Sequence, residues 1–95
     1  MSADFEIAET KKFVDSYEKI LGAQAGIIYS KIRNVVYPQL RKMPFFGKNI
    51  KKLKDHSPAT WRYRLGDYRL FYGVSVEQKI VIIASIRHRK DAYRP

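Results

Sequence analysis

The chain has 95 residues, a length that predicts one domain, from residue 1 to residue 95, built around a single core. A hydrophobic fraction of 45% argues against disorder, and the lack of cysteine excludes disulfides and thiolate metal sites. No leader-like segment opens the chain, and no apolar run approaches the roughly 18 residues of a membrane span. We therefore expect a cytoplasmic protein without membrane contact.

The charge is strongly basic and unevenly distributed. Nineteen lysines and arginines against nine acidic residues give a net charge of +10, and the half beginning at Gly47 has twelve basic and four acidic residues. Such a field attracts nucleic acid, anionic membranes or acidic protein segments. A solvated basic face is the alternative. Arginines inside predicted strands favour a polyanion, because solubility alone does not require cations there.

The first half of the chain predicts one strand and two helices. Partial alternation over residues 3–8 indicates the strand, and Thr10 is placed to cap the helix that follows. This helix has one apolar stripe, made of Phe13, Tyr17, Ile20 and Leu21, and Gly22 ends it. A second helix starts near Ala23, and Pro38 is expected to kink it or to end it near Tyr37. Its solvent-facing side is expected to carry Lys31, Arg33, Arg41 and Lys42.

The second half predicts strands. Residues 45–58 resemble a linker, and strands follow at about 60–65, 68–76 and 79–87, with tight turns at Gly66-Asp67 and Glu77-Gln78. The order β-α-α-β-β-β predicts an α+β domain, in which two N-terminal helices pack on one face of a mostly antiparallel sheet. Side chains at i and i+2 share a face of a strand, so Arg62 and Arg64 point away from Trp61, Tyr63 and Leu65. The arginines should emerge on the face that the helices leave open.

Four arginines are candidates for an anion site: Arg62, Arg64, Arg69 and Arg89. A hairpin would bring the first three together, and Arg89 follows the last strand. Guanidinium groups present fixed pairs of donors that match phosphate and keep their charge at physiological pH. The alternative is that Arg62 pairs with Asp67 or Glu77 as an ordinary surface ion pair.

One histidine and two aromatic residues add candidate chemistry. His88 precedes Arg89 and can exchange protons near neutral pH, although a packed or capping histidine is the simpler interpretation. Tyr93 can stack on a base, donate a proton or pack its ring. Phe71 lies two positions after Arg69, which places both side chains on the same face of the strand, and is the candidate for base stacking. His56 lies in a polar loop and is expected to face solvent.

Metal and nucleotide chemistry find little support in this sequence. The two histidines, His56 and His88, are 32 positions apart, and the aspartates are scattered along the chain. The glycines form no phosphate-binding loop. We therefore expect no metal site and no cofactor.

Two patterns resemble a known family. RxGDYRxxY, within residues 61–72, and HRKDxY, within residues 86–93, together with Lys52-Leu53-Lys54, resemble the RelE/ParE superfamily of toxins from toxin–antitoxin pairs. The second pattern is closer to the RelE branch. The resemblance covers essentially the whole chain and implies a RelE-like fold.

The resemblance also implies an activity. RelE-like toxins are mRNA endoribonucleases of the ribosomal A site that need no metal: the RNA 2′-hydroxyl attacks the adjacent phosphate and leaves a 2′,3′-cyclic phosphate. On the matching positions, Arg62, Arg64, Arg69 and Arg89 would hold the phosphate. Tyr93 would position the RNA or protonate the leaving oxygen. The family often has lysine at the first two of these positions, and arginine is a poor base, so His88 becomes the candidate for proton transfer. Further RNA contacts are expected from Lys51, Lys52, Lys54, Phe71, Arg87 and Lys90.

The implied partners are a cognate antitoxin, which would bring an acidic amphipathic helix or strand, and the ribosome with its mRNA. Operator DNA would be bound only indirectly, through the antitoxin complex. Two other functions fit the same residues. A ParE-like toxin would poison DNA gyrase without needing a catalytic set, and a non-catalytic basic module would bind nucleic acid and cleave nothing.

Overall fold

Five strands form one mixed sheet in the computed structural model, which describes residues 4–91. In chain order they are β1 (Glu6–Glu9), β2 (Ile50–Lys52), β3 (Trp61–Leu65), β4 (Tyr68–Ser75) and β5 (Ile80–His88). Their spatial order is β1-β5-β4-β3-β2. β1 runs parallel to β5, and the other three pairings are antiparallel. The α+β class and the three predicted C-terminal strands are confirmed.

The helical segment lies between β1 and β2. It contains α1 (Lys11–Leu21), a 3₁₀ turn (Gly22–Gln24), α2 (Ala25–Lys31), a π-helical turn (Ile32–Val36) and α3 (Tyr37–Lys42). The Thr10 hydroxyl caps α1 by accepting the N–H of Phe13 at 3.2 Å, as predicted. Neither α1 nor the helical run after it, within residues 4–91, combines the length and apolar character needed to cross a bilayer.

Two details of the predicted element order are wrong. The stretch expected to be a linker contains β2, whose three residues include two lysines and are too few to show an alternating pattern. The second helix is divided into α2 and α3 by the π-helical turn and continues to Lys42. Pro38 does not end it: the π-helical turn, in which the Tyr37 N–H bonds to the Ile32 carbonyl five residues back, leads directly into α3, whose second residue is Pro38.

The core lies between the helices and one face of the sheet. Tyr63 and Leu65 are buried while Arg64 between them is exposed, as strand alternation predicts. From the helices, Phe13, Val36 and Leu40 have no exposed surface. The remaining fully buried aliphatic and aromatic residues include Ile32, Leu70, Tyr72, Val81, Ile83 and Ile86.

A polar contact ties the helices to β1. The hydroxyls of Tyr29 and Tyr37 both donate to Glu9 Oε2, at 2.7 Å and 2.6 Å. Burial and the hydrogen bond to Glu9 raise the pKa of Tyr29 to about 12 and raise the pKa of Tyr37 further. Eight positions along an α-helix leave two side chains roughly 80° apart. The extra residue of the π-helical turn reduces this offset, which helps both rings reach one carboxylate.

Candidate functional site

A cavity of about 480 Å³ opens beside the β3–β4 turn. Three arginines line it: Arg64 from β3, Arg69 from β4, and Arg89, which directly follows β5. Lys31, the last residue of α2, adds a fourth cation. We call this cavity the cationic cleft.

The β3–β4 hairpin explains why the three arginines meet. Gly66 has φ of 59°, which glycine adopts without the strain that other residues incur, and this permits the tight turn to Asp67. The hairpin places Arg64 directly opposite Arg69. The N–H of Arg89 donates to the carbonyl of Asp67 at 2.7 Å and so holds the end of β5 against the same turn.

The cationic cleft has more positive than negative charge. Its one acidic side chain, Asp67, lies 3.7 Å from Arg89 Nε, with both side chains more than half exposed. Such a pair contributes about 0–1 kcal/mol. One Nη of Arg69 donates to the carbonyls of Gly66 and Tyr68, both at 2.9 Å. These bonds hold the Arg69 guanidinium at the turn without neutralising its charge, so the cleft can accept an anion.

Arg62 lies apart from this group. It is half-buried, and one Nη donates to the Asn49 carbonyl at 3.4 Å, while the buried Nε makes no hydrogen bond within the described residues. No ion pair within residues 4–91 joins it to Asp67 or Glu77, so the pairing considered as an alternative is not formed. The structure thus brings together three of the four predicted arginines.

His88 lines a different cavity. This second cavity, of about 340 Å³, lies where α1 packs on β5, and Lys12, Ser16 and Arg87 also line it. The imidazole meets the Tyr68 ring edge-on at 5.4 Å, and its Nδ1 accepts the N–H of Lys90 at 3.2 Å. The structure does not bring His88 together with the cleft arginines, and its proton-transfer role stays a prediction. Tyr93 lies outside the described residues.

The predicted RNA-contacting residues are spread over the surface. Lys51, Lys52 and Lys54 are exposed on β2 and in the turn after it, and Lys52 Nζ lies 5.5 Å from the centre of the Trp61 ring. Arg87 is exposed and pairs in register with Arg69 across β4 and β5, and Lys90 is exposed beyond β5. Phe71 is only 8% exposed, which leaves little ring surface for stacking on a base.

Sequence reasoning missed Lys31. The apolar periodicity of the second predicted helix places Lys31 on its solvent-facing side, where Lys31 is indeed exposed. Nothing in that pattern indicates that the end of α2 faces the β3–β4 turn. The relative position of helix and hairpin is a tertiary feature, and no signal within the helix itself could have found it.

Comparison with known proteins gives the family. Residues 7–93 match the model of the ParE toxin of the type II toxin–antitoxin system parDE. The chain therefore belongs to this family, within the RelE/ParE superfamily of toxins. The resemblance noted in the sequence is confirmed at this level.

Solved structures share the fold. The archaeal RelE–RelB complex from Pyrococcus horikoshii contains a chain that is 22% identical, with a TM-score of 0.68 over 94% of this chain and 99% of the other. A chain of the toxin–antitoxin complex RelBE2 from Mycobacterium tuberculosis is 21% identical, with a TM-score of 0.69 over 90% of this chain and 99% of the other. The YoeB/ParE toxin from Agrobacterium tumefaciens is 22% identical, with a TM-score of 0.69 over 88% of this chain and 98% of the other. At these identities the likeness establishes the fold.

A short match of another kind also occurs. Over 56 residues the chain is 38% identical to a lariat debranching enzyme from Saccharomyces cerevisiae. The match covers 59% of this chain but only 14% of that enzyme. It therefore carries no argument about activity.

Proposed function

We propose that this toxin arrests growth by cutting mRNA in the ribosomal A site, with an RNA phosphate bound in the cationic cleft. The observation that carries the proposal is the charge of the cleft: Arg64, Arg69, Arg89 and Lys31 surround one cavity that contains a single carboxylate, Asp67. Like charges on adjacent strands destabilise a fold unless something offsets them. A bound phosphate would offset them.

The reaction requires charge stabilisation at phosphorus. Attack of the 2′-hydroxyl on the adjacent phosphate produces a crowded phosphorane whose extra negative charge must be stabilised. Guanidinium groups held in place before the reaction do this well, because they need no reorganisation. The Arg69 guanidinium is held by two carbonyls of the turn, and the backbone N–H of Arg89 bonds to Asp67, which fixes the Arg89 backbone at the same turn. These two arginines are our candidates for the main phosphate contacts, with Arg64 beside them.

A second function is gyrase poisoning. The observation that favours it is the family match itself, which is to ParE toxins. The cationic cleft also has no histidine among the residues that line it within the described part of the chain. On this alternative the basic surface would bind an acidic face of gyrase, and the cleft arginines would be individually dispensable for toxicity.

An antitoxin is the best supported partner. Two of the structural neighbours are toxin–antitoxin complexes, and this chain belongs to a family of antitoxin-controlled toxins. An acidic antitoxin segment that covers the cationic cleft would keep RNA out of it. The ribosome and mRNA are the partners that the proposal adds.

Two parallel reactions test the proposal. In one, purified ribosomes translate a defined mRNA with and without the protein, and the RNA ends are mapped. In the other, purified gyrase supercoils plasmid DNA with and without the protein. We expect ribosome-dependent cuts within the A-site codon and unimpaired supercoiling. Intact mRNA together with inhibited gyrase would overturn the proposal in favour of the second function.

A further inference from the structure

We infer that Lys31 is the side chain that protonates the leaving oxygen when the cationic cleft cuts RNA. The inference rests on the proposed function and deepens it. Cleavage by a 2′-hydroxyl expels the 5′-oxygen of the next nucleotide, and a positioned acid speeds such a step. The three cleft arginines cannot serve, because a guanidinium is not deprotonated in proteins.

The other side chains of the cleft are unsuited to this role. Tyr63 is 3% exposed, and its hydroxyl already donates to Gln39 Oε1 at 2.8 Å. Asp67 is paired with Arg89, and an ionised carboxylate accepts hydrogen bonds without donating any. The Asn49 amide is not an acid. Among the side chains that line the cleft within residues 4–91, the Lys31 ammonium is thus the proton donor.

The fold brings Lys31 to the cleft from a separate layer. Arg64 and Arg69 belong to the sheet and Arg89 directly follows β5, whereas Lys31 is the last residue of α2. Two positions earlier, Tyr29 donates to Glu9 Oε2 and holds α2 against β1. A phosphate bound by the arginines would therefore share the cleft with the Lys31 ammonium, within which a leaving group can be protonated.

The 2′-oxygen forms a bond to phosphorus, and its proton passes to a water molecule. The bond between phosphorus and the 5′-oxygen breaks, and this oxygen keeps the electron pair and takes a proton from Lys31 Nζ. The products are a 2′,3′-cyclic phosphate and a 5′-hydroxyl, and solvent returns a proton to the lysine amine.

The first test is Lys31→Arg, which keeps the positive charge and removes the releasable proton. On ribosomes stalled over a defined codon, we expect single-turnover cutting to fall by about 10²-fold or more, the usual contribution of a general acid. Binding to the ribosome should stay unchanged, because the charge is kept. Lys19→Arg, an exposed position on α1 away from the cleft, is the matched control.

The second test changes the substrate. In an mRNA whose scissile 5′-oxygen is replaced by sulfur, the leaving group is a thiolate, which departs without being protonated. On this substrate Lys31→Arg should cut as fast as the unaltered protein. A merely structural role for Lys31 would slow cutting of both substrates equally.

The outcomes are distinct. Rescue by the sulfur substrate supports Lys31 as the acid. Cutting of the ordinary mRNA by Lys31→Arg at the normal rate, or an equal defect on both substrates, would overturn this inference and leave the proposed function standing. Failure of the unaltered protein to cut any ribosome-bound mRNA would overturn both.

Discussion

At Glu9, one carboxylate oxygen accepts hydrogen bonds from two phenols, whereas at the β3–β4 turn four cations share one exposed carboxylate. The first group is internally matched: each donor has an acceptor, and the contact joins α2 and α3 to β1. The second group leaves positive charge unbalanced on the surface. The first group is a contact that stabilises the fold, and the second is a site whose charge suits an anion. Each can be disrupted independently.

The largest expected effect is on toxicity. Arg69→Ala and Arg89→Ala should each abolish growth arrest, because each removes a cation held at the proposed phosphate position. Loss of one such donor commonly costs about 10²–10³ in rate. Colony formation after induction measures the effect, with the exposed Arg41→Ala on α3 as control. Normal growth arrest by a well-expressed double variant would show that the cleft is not the site.

The next effect is on stability. Glu9→Ala leaves two part-buried phenols without their acceptor and should cost about 1–3 kcal/mol of unfolding free energy. Denaturant unfolding measures it, and Glu6→Ala, an exposed position on the same strand, should change little. If the two substitutions had equal effects, the contact around Glu9 would not be the stabilising element we describe.

Alkaline pH should weaken the same contact. The pKa of Tyr29 is raised from 10 to about 12 in the folded protein, so the contact stabilises fully below pH 10. This stabilisation is lost as the pH rises from 10 through 12. The denaturant midpoint should therefore fall across this window, and less steeply in Tyr29→Phe. An identical slope in both proteins would contradict the assignment.

The smallest expected effect comes from His88→Gln. His88 lines the cavity between α1 and β5 and not the cationic cleft, so RNA cutting should change by less than about tenfold. Single-turnover cutting on ribosomes measures it. A loss of about 10²-fold or more, with ribosome binding retained, would support the proton-transfer role predicted from the sequence.

The strands that position the arginines could be predicted from the sequence, and part of the site could not. Alternation correctly assigns the buried and exposed sides of residues 63–65, although Arg62 is half-buried, and the Gly66 turn then forces Arg64 and Arg69 together. His88 and Arg89 are neighbours in sequence but line different cavities. β5 ends at His88, whose ring packs against Tyr68, whereas the backbone of Arg89 bonds to Asp67 in the β3–β4 turn.

The remaining errors have tertiary causes. β2 exists because its backbone pairs with β3, a feature that three residues with two lysines do not reveal. The π-helical turn before Pro38 allows a helical path that proline alone would argue against. Lys31 lines the cleft together with hairpin residues that lie more than thirty positions later in the chain. Each depends on contacts between segments that are distant in sequence.

The most direct test of the account is RNA end mapping on stalled ribosomes, comparing the unaltered protein, the Arg69→Ala/Arg89→Ala double variant and Arg41→Ala. We expect A-site cuts, bearing a 2′,3′-cyclic phosphate, from the unaltered protein and from Arg41→Ala, and none from the double variant. Equal cutting by all three proteins would contradict the claim that the cationic cleft binds the scissile phosphate.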